Sequence, residues 1–165
     1  MRDPKLKLPR IPEIVRGALA VREASLVIYR SRMLVEMKTD KLGEGLSLYE
    51  EDGHRSWQIG AFDDHHCHLD IGLVTRVSFE AEKVSCQGGR LNYTVWFLLD
   101  EDCGNPYRRD AYFSVVLNKP YASDGSLRRE IVEPMFDLYR RLEGEEGVSA
   151  SPVFLGEMSR LAMAA

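Results

Sequence analysis

All four histidines of this 165-residue chain lie between positions 54 and 68, and three of them fall in the run DDHHCHLD (63–70). Neutral imidazole is a good ligand for iron, zinc and copper. On an extended strand His66 and His68 point to one face, with His65 and Cys67 on the other. Asp63, Asp64 and Asp70 are near enough in sequence to act as ligands, or as partners that fix a histidine tautomer. Three readings of this cluster stay open. The histidines can be solvated residues of a polar loop entering a strand. One of them can be the axial ligand of a haem iron, with apolar sheet residues covering the porphyrin. Or His66, His68 and a carboxylate, with His65 beside them, can hold a single zinc or iron ion for a small metal-dependent enzyme.

Other candidate motifs fail on inspection. DEDCG (100–104) opens like a calcium loop, but its twelfth position is Ala111 instead of a bidentate glutamate, and the segment runs into a strand. SCQGGRLN (85–92) has two glycines without the spacing of a phosphate-binding loop, and it precedes a strand instead of a helix, so it is a turn. Cys86 has only Arg90 as a basic neighbour within that motif, which suits a core or turn thiol. Neither GxSxG nor HExxH occurs, and no enzyme class is assigned.

The elements that must position the cluster are mostly strands. Pro12 suits the first turn of a helix over 12–23, whose Ile14, Val15, Ala18 and Leu19 share one stripe. Residues 1–9 read as a flexible arm. Short β-like segments follow at 25–30, 33–38, 46–50 and 56–62. Residues 68–85 form a long, mostly period-two run, in which Gly72 marks a bulge or bend. LNYTVWFLLD (91–100) and DAYFSVVLNK (110–119) read as a long antiparallel hairpin. Ser126 is an N-cap candidate for a helix carrying Leu127, Ile131, Met135, Leu138, Tyr139 and Leu142, which Pro134 is expected to kink or delay. A last helix near 152–162 starts at Ser151–Pro152. The order helix, many strands, helix, helix defines an α+β fold, a large curved antiparallel sheet with helices at the two ends of the chain. No linker divides it, so 1–165 reads as a single domain.

Composition agrees: 44% apolar and 29% charged residues are ordinary for a globular chain. Three cysteines without CxxC spacing argue against a disulfide framework. No stretch approaches ~18 apolar residues, and the N-terminus has no apolar signal region, so no membrane is expected and the cytoplasm of a prokaryote-like cell is the expected compartment. The net charge of −4 argues against nucleic acid as a partner. Yet residues 1–41 hold ten Lys/Arg against five Asp/Glu, a local excess that reads as a solvated surface or as a face toward an anion such as a phosphate or propionate.

Over residues 57–142 the order of segments resembles the intracellular haem-utilisation proteins, the HutX/ChuX-like carriers and the related HemS-like haem-degrading proteins. The resemblance is carried by HLDIGLVTRVSFEAEKV, then LNYTVWFLLDEDCG, then AYFSVVLNK, then the helix with Phe136, Leu138 and Tyr139. It is one of pattern rather than of long identical motifs. It implies a saddle-shaped antiparallel sheet with helices packed at one side, often dimeric, and a cytoplasmic haem carrier or store. The family's haem-contacting histidine falls on His68, with His66 beside it, and a second family histidine falls nearest His54. No motif places the basic residues that pair with the propionates; Arg76 and Arg90 are the expected ones. The chain departs from the family in its N-terminal third and in having HHCH where one histidine is usual, so a dimeric protein that keeps this fold without a cofactor stays open as a further reading.

Overall fold

The computed structural model describes residues 6–30, 33–38, 46–51, 54–60, 66–85 and 88–164. Helix α1 spans Ile11–Leu19 with Pro12 in its first turn, and its Ile11, Ile14, Val15, Ala18 and Leu19 are buried. It stops before the expected residue 23 because the chain must turn into the sheet. Glu23 takes a positive φ of 53° there. Arg128 holds its carboxylate with two hydrogen bonds, of 2.9 and 3.1 Å. Ahead of the helix, Leu8 is buried and the Lys7 N–H donates to the Gly72 carbonyl at 3.4 Å. The later part of the expected arm is therefore docked, while residues 1–5 lie outside the described residues.

The sheet strands are β1 (Ala24–Arg30), β2 (Met33–Lys38), β6 (Arg76–Lys83), β7 (Leu91–Leu98), β8 (Ala111–Leu117) and β9 (Val148–Ala150). Their order is β2-β1-β8-β7-β6-β9. Every pairing is antiparallel except β6 with the short β9, which is parallel. The expected hairpin of 91–100 and 110–119 is present as β7–β8, with a register shift at Phe97/Leu98. A second sheet of three strands, β3 (Ser47–Glu51), β4 (His54–Gly60) and β5 (His66–Leu69), stands apart from the six-stranded one.

The period-two run expected over 68–85 breaks. The Asp70 carboxylate accepts the Gly72 N–H at 3.2 Å and caps a 3-10 turn, Ile71–Leu73, between β5 and β6. A short polar side chain that bonds the backbone two residues on competes directly with strand continuation. Gly72 thus marks the bend of the two expected alternatives, at a change of sheet, and not a bulge within one strand.

Alternation sorts the large sheet into two faces. Phe79, Tyr93, Val95, Phe97, Phe113 and Val115 are fully buried on the face covered by α2 (Arg129–Leu142) and α3 (Pro152–Met163). Phe154 of α3 packs at ring-centroid distances of 5.7, 4.9 and 5.7 Å from Phe79, Phe136 and Tyr139. Ser151 caps α3, accepting the Phe154 N–H at 3.2 Å. Helix α2 runs through Pro134, and its N-cap is Arg128, not Ser126. Ser126 instead bonds Asp124 within the preceding turn. Among the described residues no helix is long and apolar enough to cross a membrane.

Because Phe154 joins the sheet to both C-terminal helices, Phe154→Ala is expected to destabilise the fold by about 3–5 kcal/mol. Val153→Ala, at a half-exposed neighbour, is expected to cost under about 0.5 kcal/mol. Urea denaturation of the two variants checks both values.

Candidate functional site

Strand β5 places the histidine cluster. It pairs with β4 so that His68 lies opposite Gln58 and His66 opposite Gly60, while Leu69 lies opposite Trp57 and Cys67 opposite Ile59. The odd-numbered residues Ile59 and Leu69 go into the core, which turns His66 and His68 to the other face. Their rings meet edge to face, 5.5 Å apart at an interplanar angle of 77°. The Ser56 hydroxyl lies 3.1 Å from His68 Nδ1.

His68 borders a cavity of about 540 Å³ at one end of the large sheet. Ile28, Leu69, Leu73 and Leu99 supply an apolar wall, and Tyr112 and Arg30 add an aromatic ring and a guanidinium. Glu101, Asp102, Cys103 and Gly104 complete the lining, and Cys103 feels both these carboxylates and Arg30. Tyr112 is anchored by its hydroxyl, which accepts the Asp70 N–H at 3.3 Å. Desolvation holds that phenol above its ordinary pKa, so it stays protonated at neutral pH. Among the described residues no carboxylate lies within ion-pair distance of Arg30. The volume is in the range of cofactor and ligand sites.

The other expected residues are placed differently. His54 opens β4 opposite Glu51, and its side chain lies outside the described residues, as does the whole of His65. Arg76 begins β6 and is engaged with Asp110 at 3.0 Å and the Leu99 carbonyl at 3.0 Å, so it braces the sheet end and does not line the cavity. Arg90 lies over the Tyr121 ring at 5.4 Å, at the start of β7. Nine residues of extended chain, roughly 30 Å at ~3.3 Å each, separate it from Leu99 in the cavity wall. One ligand in this cavity therefore does not reach Arg90. For a bare metal ion, no group of three or more His, Cys, Asp or Glu side chains converges among the described residues.

Three features of the cavity had no motif in the sequence. Arg30 was legible only as part of the basic excess before residue 41. Tyr112 read as one more strand aromatic. Ser56 carries its meaning only through the β4–β5 register, which sets it diagonally across from His68.

These features describe a ChuX-like fold, a mostly antiparallel sheet flanked by an N-terminal helix and C-terminal helices. The solved structure of ChuX superposes with a TM-score of 0.59 at 12% identity, over 82% of this chain and 73% of ChuX. A protein from Erwinia carotovora matches at a TM-score of 0.54 and 15% identity, over 83% of this chain and 71% of its own. A protein from Agrobacterium tumefaciens matches at 0.53 and 15%, over 81% and 65%. No family model matches the sequence, and no curated protein matches it.

Cys67 tests the packing behind the site. Burial pushes its thiol up to about 11. The thiolate is the reactive form, and a raised pKa depletes it at neutral pH. In a Cys86→Ser/Cys103→Ser background, alkylation of Cys67 by iodoacetamide near pH 7 is expected to be about 100-fold slower than for an ordinary exposed thiol. The rate is expected to climb only as the pH approaches that raised value.

Proposed function

We propose that this protein binds haem in the His68 cavity and acts as a cytoplasmic carrier or store of it. The observation that carries the reading is the position of His68. Its imidazole stands at the border of a cofactor-sized cavity with an aliphatic wall, and Ser56 engages its Nδ1. A hydrogen bond to one ring nitrogen fixes the tautomer and orientation of an imidazole whose other nitrogen ligates a metal. His68 would hold the haem iron through its imidazole, with His66 packed against its ring.

The remaining wall suits a flat apolar disc with two anionic arms. Ile28, Leu69, Leu73 and Leu99 would cover the porphyrin, and Arg30 would pair with a propionate. Bound haem supplies the iron chemistry; the residues on this chain supply capture, orientation and cover. The fold shared with ChuX supports the reading at the level of architecture.

Cys67 and Cys103 are free thiols, which suits the reducing cytoplasm. Support for a homodimer comes from β2 at the end of the sheet order, where Met33, Leu34 and Val35 are 63, 50 and 40% exposed. An apolar sheet edge of this kind is a template for pairing with another strand. Sedimentation of the purified protein distinguishes monomer from dimer.

Titration with hemin is expected to give a saturable Soret band. His68→Ala should shift and weaken that band. Ser56→Ala should weaken binding about 10-fold, the low end for a partner that orients a ligating imidazole. An unchanged spectrum in His68→Ala removes His68 from the site.

A further inference from the structure

On the face of the large sheet turned away from the helices lies a second cavity, of about 280 Å³, with a different chemistry. The loop 101–110 reaches over this face: Asn105 is buried, Arg108 pairs with Glu80, and Tyr107 packs edge-on against Tyr29 at 6.3 Å. The walls are Tyr29, Leu34, Trp96 and Tyr107, together with neighbouring valines. At one side stand two oxygen-bearing side chains, Glu82 and Asn92, which lie directly opposite each other in the β6–β7 ladder.

Asn92 Oδ1 is a buried acceptor with no hydrogen-bond partner among the described residues. A buried acceptor left unmatched is destabilising, so such atoms in a cavity wall mark a place for a donor. Arg108 pairs with Glu80 and acts on the Glu82 carboxylate only at longer range. Partial desolvation, and then the neighbouring Glu80, which also hydrogen-bonds it, hold the Glu82 carboxyl above the usual carboxylate range against the pull of Arg108. A cation placed beside Glu82 relieves that penalty. None of the residues lining this cavity is lysine, arginine or histidine. Three aromatic rings, an orphan acceptor and a carboxylate held above its usual range together recognise an organic cation, through N–H donors and through attraction of positive charge to ring faces.

We propose that this cavity is a second binding site, for a small organic amine or amidine whose N–H groups meet Glu82 and Asn92 and whose apolar body lies against Trp96, Tyr29 and Leu34. The site is independent of the haem reading. Tyr29 lines both this cavity and the one beside His68, but Glu82, Asn92 and Trp96 line only this one.

Three probes with one ring and three charges test it: phenethylamine, phenethyl alcohol and phenylacetate, each titrated into the full chain and followed by the Trp96 indole N–H resonance. Phenethylamine is expected to shift that resonance saturably. The alcohol should bind about tenfold more weakly, the worth of one charge-assisted hydrogen bond, and phenylacetate should not bind. Asn92→Leu and Glu82→Gln should each weaken phenethylamine by a similar factor. The second change lies at the exposed rim, where folding does not depend on it. Phenylacetate binding as well as the amine, an absence of saturation with any probe, or unchanged affinity in both variants would overturn the proposal.

Discussion

The turn at Asp70 is the constraint on which the candidate haem site depends. Its carboxylate accepts the Gly72 N–H, and its own N–H donates to the Tyr112 hydroxyl. The first bond stops β5 and redirects the chain, so that β5 and β6 belong to different sheets. The second ties that corner to β8 in the large sheet. The space between the small sheet and the end of the large one is the cavity that His68, Tyr112 and Arg30 border. Were 66–83 one uninterrupted strand, as its alternation invites, His68 would extend the edge of a single sheet and no such space would exist.

Strand β7 divides the rest of the molecule by simple alternation. Tyr93, Val95 and Phe97 enter the aromatic core under α2 and α3, while Asn92, Thr94 and Trp96 face away. Asn92, Thr94 and Trp96 line only the open-face cavity, while Tyr29 of β1 lines both cavities. The one at the sheet end brings a guanidinium and an imidazole together with the carboxylates of Glu101 and Asp102 and aliphatic cover. The one on the open face sets a carboxylate and an orphan amide oxygen among aromatic rings.

Much of the architecture was legible because strand and helix periods are local properties. The β7–β8 hairpin, the stripe of α1 and the Ser151–Pro152 start of α3 follow from neighbouring residue types alone. What was not legible depended on competition or distance. Gly72 reads as a bulge or a bend, and the choice between them turns on the reach of the Asp70 side chain, which is invisible in a count of alternating residues. Strand β9 is three residues long and exists by pairing with β6. Ser126 had the right side chain for a cap, but Asp124 claimed it. Within the site, His66 and His68 shared a face as period two requires. Arg30 gave no local signal and reached the cavity only through the β1–β8 register. Arg76 and Arg90, chosen as nearby basic residues, are held elsewhere by Asp110 and Tyr121.

Where added hemin settles is read directly by NMR. Ferric haem is paramagnetic and broadens the amide resonances of residues close to it, so one spectrum of a hemin titration maps its seat. Loss of signal is expected at His68, Leu69, Leu73, Leu99–Gly104 and Tyr112, with sharp resonances retained at Arg90 and Tyr121. Broadening centred on Arg90 and Tyr121, or on the open face around Trp96, would contradict binding in the His68 cavity.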